Sequence, residues 1–179
     1  MSVKTGAGFK RHVSRQDIAT PREFIKAVEL RFGPIGLDLA AETHNKVTED
    51  YIGPGSVLGE DSLEQPWGEF TRTNLWCNPE FEHIGLYAEK AASECRERSN
   101  WMFLLGPASV DSNWFNSHVL NKAFVMPLAP RITFVGQDEP YPKGLFLAAY
   151  GFGVYGWAPW RWRESRRRIA KIIAATAAE

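Results

Sequence analysis

Short apolar segments that alternate with helical patterns constrain the fold of this chain most strongly. Three such segments are residues 35–39, 75–77 and 102–105. The first closes on Asp38-Leu39, the second stops at Asn78 and the third stops at Gly106. Apolar residues at helical spacing precede the first segment and follow the second and third. This alternation predicts an α/β fold in which helices cover both faces of a sheet, in three layers.

The expected helices have recognisable ends. Thr20 is suited to cap the first helix, Pro21 to occupy its first position, and Glu23 to complete a capping box. Gly33-Pro34 ends that helix. A second helix is expected over 83–98, and a third is expected after a cap at Asp111 or Ser112. Further strands are predicted over 123–126, 132–135 and 145–150, and a C-terminal helix over 162–178.

Composition limits the class of protein. The chain has 179 residues, of which 44% are hydrophobic, enough for a single compact domain with a real core. No apolar run is long enough to span a membrane, and the N-terminus lacks the apolar stretch of a signal peptide. Two cysteines, Cys77 and Cys95, do not form a disulfide framework. We therefore expect a cytoplasmic protein with no membrane partner.

Charge is balanced overall but unevenly distributed. Residues 1–31 hold seven Lys and Arg against three acidic residues, and residues 161–171 hold six against one. Basic ends on an acidic body are able to clamp a phosphate backbone. Solvated helix faces explain the same pattern more simply. The basic C-terminal segment is also a candidate to contact a second subunit, which leaves a homodimer open.

The second apolar segment ends in Asn78-Pro79-Glu80-Phe81. An Asn side-chain carbonyl and a Pro backbone carbonyl together can accept both hydrogens of an exocyclic amine, and an aromatic ring can stack on a flat base. Asp38 ends the first segment in a similar way. If the two strands are neighbours, Asp38 and Asn78 face one crevice at the carboxyl ends of the strands. Such a crevice has room for a group donor beside an acceptor.

Other motifs are weaker. Residues 151–156 fit the glycine pattern of a dinucleotide site, but no helical pattern follows them, so a turn or hairpin is predicted. Ser109, Asp111 and His118 supply the residue types of a hydrolase triad without a nucleophile-elbow motif. The four histidines are scattered and neither cysteine has ligand spacing, so no metal site is predicted.

An ordered set of short motifs resembles the phage-type DNA N6-adenine methyltransferase family. The match covers about Thr20 to Tyr150, and it is the order of the motifs that is specific. The motifs are Thr20-Pro21, Phe32-Gly33, Leu37-Asp38-Leu39-Ala40-Ala41 with Asn45, Trp67, Trp76-Cys77-Asn78-Pro79, Leu104-Leu105-Gly106-Pro107-Ala108 with Asp111, Trp114-Phe115, and Arg131-Ile132-Thr133-Phe134.

The resemblance implies a Rossmann-like methyltransferase domain over residues 20–179, preceded by a flexible basic arm over 1–19. It implies S-adenosylmethionine as the cofactor and double-stranded DNA as the partner, with the target base flipped out of the helix. A phage or prophage origin is expected.

The site residues follow from the same resemblance. Thr20-Pro21 would line the methionine side of the donor, and Asp38 would accept from its ammonium group. The implied cofactor-binding residues are Thr20, Pro21, Asp38, Leu39, Ala40 and Asn45. The implied catalytic residues are Asn78, Pro79, Glu80 and Phe81.

Position 80 departs from the family pattern, which usually has Asn-Pro-Pro-Tyr or a similar sequence. Three interpretations of Glu80 are open: it points to solvent, it accepts a hydrogen bond from an amine and alters base choice, or it marks a catalytically degenerate protein that binds nucleic acid or a protein partner. Methylation of cytosine N4 uses the same amine chemistry and is a further alternative. Phe81 in place of Tyr keeps the stacking face.

Overall fold

The computed structural model describes residues 18–164. Its helices are α1 (Arg22–Phe32), α2 (Ile84–Glu94) and α3 (Asn113–His118), with two 3-10 turns at Ser62–Glu64 and Trp67–Glu69. Its strands are β1 (Ile35–Asp38), β2 (Asn74–Cys77), β3 (Met102–Pro107), β4 (Phe124–Ala129), β5 (Leu145–Tyr150), β6 (Gly156–Trp157) and β7 (Trp160–Arg161). The arm predicted over 1–19 and the helix predicted over 162–178 lie largely outside the described residues.

One mixed sheet organises the described chain. Its strand order is β1-β2-β3-β5-β4-β6, and β7 also pairs with β4. The neighbours β1, β2 and β3 are parallel. The β5 strand is antiparallel to both β3 and β4. The sheet therefore confirms the predicted α/β class, and it places β1 and β2 side by side as the Asp38–Asn78 hypothesis required.

The side chains of alternate strand residues point into two apolar layers, one on each face of the sheet. On one face, Phe24 and Val28 of α1 pack with Trp76 and Phe103. On the other face, residues of α2 and α3 pack with Leu75, Cys77 and Leu104. The β2 strand alternates cleanly between the layers because successive side chains point to opposite faces. Helices thus cover both faces, in the three layers expected.

The predicted ends of α1 lie within one residue of the observed ends, but the predicted capping bonds are absent. The α1 helix begins at Arg22, and Pro21 takes the N-cap position with no side-chain capping bond. The capping-box prediction is therefore wrong. The Thr20 hydroxyl instead accepts a hydrogen bond from Nδ2 of Asn78, at 3.2 Å. Glu23 lies 3.2 Å from Nη2 of Arg163. For both Thr20 and Glu23, a contact with a residue distant in the sequence takes the place of the predicted capping bond.

The second helix is shorter than predicted, and the third has one of its two predicted caps. The α2 helix ends at Glu94 rather than at residue 98, and the chain beyond it turns so that Arg98 is buried. For α3 the cap is Ser112, whose hydroxyl accepts from the Phe115 amide. Phe115 is buried and Trp114 packs against the core, so this pair serves packing.

One predicted strand is absent. Residues 132–135 form no strand among the described residues. Ile132 and Phe134 are buried against the α1 side of the sheet, so their alternation reflects burial from a loop rather than pairing in the sheet. Residues 151–156 form a turn and lead into β6 without a helix, as predicted. Within 18–164, no helix has the length and apolar character needed to cross a membrane.

Candidate active site

A cavity of about 490 Å³ opens where β1 and β2 end. Asp38 is the last residue of β1, and Asn78 follows the last residue of β2. Both residues line this cavity. The lining comprises Ile18, Thr20, Asp38, Leu39, Ala40, Ala41, Glu42, Asn45, Val47, Ile52, Gly53, Pro54, Glu60, Asp61, Ser62, Trp76, Asn78, Pro79, Glu80 and Tyr87. The parallel pairing of β1 with β2 is what brings the two polar ends together.

Asp38 is almost fully buried, with 2% of its surface exposed. Its Oδ1 accepts from the Ala40 amide at 3.2 Å, and its Oδ2 accepts from the Val47 amide at 3.0 Å. Burial raises the pKa of the Asp38 carboxyl to about 6, although the Val47 and Ala40 bonds act in the opposite direction. Asp38 is therefore mostly ionised at pH 7, with little solvent around its charge.

The chain after Asp38 forms the outer wall of the cavity. Residues 39–49 leave the sheet, and the segment that follows returns alongside β1, where the Ile52 amide donates to the Asp38 carbonyl at 2.8 Å. Gly53 has a φ of +147°, and an added Cβ would lie 1.9 Å from the Ala41 carbonyl oxygen. Only glycine fits this close approach of two backbones. The Asp38 bonds and this contact together fix the shape of the wall.

Glu60, Asp61 and Ser62 form a second wall of the cavity, and a buried arginine holds the segment that follows them. Arg98 donates to the carbonyls of Trp67 at 2.7 Å, Phe70 at 2.5 Å and Thr73 at 2.9 Å. Trp67 is fully buried, and its indole N–H donates to the Ser62 carbonyl at 2.8 Å. Nothing in the local sequence of residues 60–73 indicates this anchoring, which comes from a residue 25 or more positions away.

Asn78 differs from Asp38 in having an unpaired polar atom. Its Nδ2 donates to the Thr20 hydroxyl at 3.2 Å. Its Oδ1 is buried and has no hydrogen-bond partner within residues 18–164. A buried acceptor without a partner costs about 1–3 kcal/mol. The Thr20 bond fixes the amide plane, so the free carbonyl oxygen is held in one orientation at the cavity wall.

Two further lining residues carry unpaired buried atoms. The indole N–H of Trp76 and the hydroxyl of Ser62 have no partner in the described part of the chain. Trp76 is fully buried, and Ser62 is 5% exposed. Because buried polar groups are nearly always paired, a cavity with three such atoms is a candidate ligand site.

The predicted site residues mostly converge on the cavity. Leu39, Ala40 and Asn45 line it on the β1 side, and Pro79 and Glu80 line it on the β2 side. Glu80 is at the rim: its side chain is 62% exposed, and its carboxylate lies 3.8 Å from Nε2 of His83.

Two predicted residues are not part of the lining. Pro21 lies at the start of α1, where its carbonyl accepts from the Phe24 amide at 2.9 Å. The Phe81 ring packs edge-on against Tyr141, with 5.6 Å between centroids. The structure thus places the predicted stacking ring beside the loop that follows β4.

The sequence-based prediction missed most of the acidic lining. Glu42, Glu60 and Asp61 join Asp38 and Glu80 around the cavity, and the lining includes neither Lys nor Arg. Asp61 also caps a 3-10 turn by accepting from the Leu63 amide at 2.8 Å. The polar run Glu60-Asp61-Ser62 before an apolar residue was the available signal. Five carboxyl groups make the cavity a poor site for phosphate and a good site for a cation.

These features, a mixed α/β sheet and an acidic cavity flanked by Asp38 and Asn78, agree with a comparison to known families. Residues 10–143 match the family described as DNA N-6-adenine-methyltransferase (Dam). The chain belongs to this family, which confirms the resemblance drawn from its motifs.

One relative supports the family assignment. The chain is 30% identical over 130 residues to the DNA N-6-adenine-methyltransferase of Escherichia phage T1. The alignment covers 73% of this chain and 52% of the phage protein. The chain therefore spans about half the length of this relative.

Proposed function

We propose that this chain transfers a methyl group from S-adenosylmethionine to the N6 amine of adenine in double-stranded DNA. The observation that carries the proposal is the unpaired Oδ1 of Asn78, buried at the wall of an acidic cavity. Membership of the DNA N-6-adenine-methyltransferase family supports the same reaction.

The charges of the cavity suit the methyl donor. S-adenosylmethionine has a sulfonium and an ammonium group against one carboxylate, so it carries a net positive charge. When bound, it supplies an electrophilic methyl group. Asp38 is ionised at neutral pH and poorly solvated, so a neighbouring cation stabilises it. Glu42, Glu60 and Asp61 add negative charge to the same cavity. Residues Leu39, Ala40 and Asn45 would bound the donor on the β1 side.

The Asn78 side of the cavity suits the acceptor. The lone pair of the adenine amine is delocalised into the ring, which makes the nitrogen a weak nucleophile. Asn78 Oδ1 and the Pro79 carbonyl would accept its two hydrogens and favour a pyramidal nitrogen. Fixed acceptors in a water-poor site contribute through positioning and electrostatics. Phe81 packs on Tyr141 outside the cavity lining, so a stacking role would require its ring to leave that contact.

A paired base does not enter a cavity of this kind, so the target base must leave the duplex. The arrangement of donor and acceptor at the ends of parallel strands is the one expected of a Rossmann-like methyltransferase. We infer a phage or prophage origin from the relative in phage T1.

The direct test is methyl transfer by the purified chain. Mixed-sequence duplex DNA is incubated with donor labelled in its methyl group, and the product is digested to nucleosides. We expect label in N6-methyladenine. Label in N4-methylcytosine would change the base assignment, and donor binding by calorimetry without any transfer would support a degenerate enzyme.

The Glu80→Pro variant tests the departure from the family pattern. Glu80 is exposed at the rim and keeps its carbonyl bond to the His83 amide at 3.0 Å, a contact that proline also permits. We expect similar activity in Glu80→Pro and wild type. A large gain in Glu80→Pro would show that the carboxylate suppresses catalysis.

A further inference from the structure

The sheet edge that holds the cavity also carries a group of cations. The β4 strand runs parallel to β3, because both are antiparallel to β5. The β7 strand is parallel to β4, with Arg161 level with Ala129. Arg161 and Arg163 therefore lie at the same end of the strands as Asp38 and Asn78. The strands β3, β5 and β4 separate the two groups.

These two arginines border a second cavity, of about 380 Å³, lined by Ala129, Pro130, Arg161, Arg163 and Glu164. Arg163 is placed by its stacking on Trp162, whose indole N–H donates to the Pro130 carbonyl at 2.7 Å. The side chains of Arg161 and Arg163 are 75% and 52% exposed. The pocket is thus concave, cationic and open to solvent.

The existing ion pairs leave these arginines available. Arg161 contacts Glu164 through Nη1 at 3.1 Å, and Arg163 contacts Glu23 through Nη2 at 3.2 Å. Exposed pairs of this kind contribute little to stability, so exchange of a carboxylate for a phosphate costs little. Arginine is suited to this exchange because its planar group binds two phosphate oxygens at once.

Residues 18–23 connect the two cavities. Ile18 and Thr20 line the acidic cavity, and Glu23 contacts Arg163. The Ala19 carbonyl accepts from the Val135 amide at 3.1 Å, which joins this segment to the loop after β4. That loop carries two more exposed cations, Arg131 and Lys143. The segment 18–23 therefore contacts both the cationic pocket and the cavity that would hold the flipped base.

We propose that Arg161 and Arg163 form a phosphate-binding site that holds the backbone of duplex DNA while the target base enters the Asn78 cavity. The inference rests on the proposed function and adds to it the surface that the substrate occupies. The acidic cavity repels phosphate, so the backbone has to lie on another part of the edge.

The test measures duplex binding by the full chain against salt concentration, using fluorescence anisotropy. The variant is R161Q/R163Q, and the matched control is R72Q/R96Q. The control removes two exposed arginines at the opposite edge, before β2 and after α2. R161K/R163K keeps the charges. Calorimetry with S-adenosylmethionine, in every variant, checks that the donor site is intact.

Loss of two phosphate contacts lowers the slope of log K against log salt by about 2 and the affinity by about tenfold or more at 0.1 M salt. We expect this loss in R161Q/R163Q, an affinity within about twofold of wild type in R72Q/R96Q, partial retention in R161K/R163K, and equal donor affinity in all.

Equal losses of DNA affinity in R161Q/R163Q and in the control would contradict the proposed phosphate-binding site. Wild-type affinity for DNA in R161Q/R163Q would also overturn it, while methyl transfer by the wild type would leave the proposed function in place. If R161Q/R163Q lost binding only to a polyglutamate peptide, the pocket would instead belong to an acidic protein partner.

Discussion

The ends of β1 and β2 are neighbours in the sheet, but the polar residues at these two ends differ in how fully they are hydrogen-bonded. At the end of β1, both carboxylate oxygens of Asp38 accept backbone hydrogen bonds. After β2, Asn78 donates to Thr20 and keeps a buried carbonyl oxygen without a partner among residues 18–164. The two residues line one cavity.

The contrast separates two uses of a buried polar group. Asp38 holds the cavity wall through two backbone hydrogen bonds and also places a negative charge in the cavity. Its loss should therefore affect folding as well as ligand binding. Asn78 is oriented by one bond and leaves one acceptor unused, so its loss should affect function more than folding. An unsatisfied buried atom is the better indicator of where a ligand binds.

Removal of the Asn78 acceptor should have the largest effect. We expect Asn78→Ala to lower the rate of methyl transfer roughly a hundredfold, because one fixed polar contact to the reacting group is lost. Thermal unfolding should change little. Asn78→Asp keeps an acceptor and is the matched control. Similar rates of methyl transfer for Asn78→Ala and wild type would contradict the functional role of Asn78.

Removal of the Asp38 acceptors should mainly affect stability. Asp38→Ala leaves the Ala40 and Val47 amides unpaired, and we expect a loss of about 2 kcal/mol in the free energy of unfolding, measured in urea at pH 7. Asp61→Ala removes a lining carboxylate that makes one exposed capping bond and should cost about 1 kcal/mol. A larger loss in Asp61→Ala would contradict the structural role of Asp38.

The pH dependence of stability tests the buried charge. The pKa of Asp38 is about 6 in the folded chain against an ordinary value of 3.8. The folded state therefore binds more protons at Asp38 between these values, so the contribution of Asp38 to stability is greatest below about pH 4 and falls as the pH rises through 6. Relative to Asp38→Asn, wild type should lose about 2 kcal/mol across this range. A constant difference between the two proteins would show that the charge is well solvated.

Thr20 should matter through the orientation of Asn78. Thr20→Val removes the hydroxyl that accepts from Asn78 Nδ2. We expect a five- to tenfold lower transfer rate, equivalent to about 1 kcal/mol. Thr20→Ser retains the hydroxyl and should restore most of the rate. Failure of Thr20→Ser to recover it would assign the effect to packing instead.

Glu80 should have the smallest effect. Its side chain is 62% exposed and its distance to His83 is 3.8 Å, so Glu80→Gln should change the unfolding free energy by less than about 0.5 kcal/mol. Chemical denaturation measures this directly. A larger change would mean that the Glu80 carboxylate stabilises the segment after β2.

Much of the site was predictable because strand ends leave a local signature. Asp38 and Asn78 were found where apolar runs stop, and parallel strands necessarily bring such ends to one edge. Glu42 and Glu60 were not found, because they reach the cavity through loops whose path depends on Arg98 and Gly53. Phe81 was expected to stack on the base, yet its ring packs on Tyr141, 60 residues later in the chain.

The sequence by itself determined the α/β class, the ends of the main strands and the pair Asp38 and Asn78, since these depend on hydrophobic periodicity and local turn chemistry. Only the tertiary structure decided which polar atoms are paired. Thr20 could cap a helix or orient Asn78, and both bonds are compatible with the local sequence. The choice depends on which donor the folded chain brings within 3.2 Å of its hydroxyl.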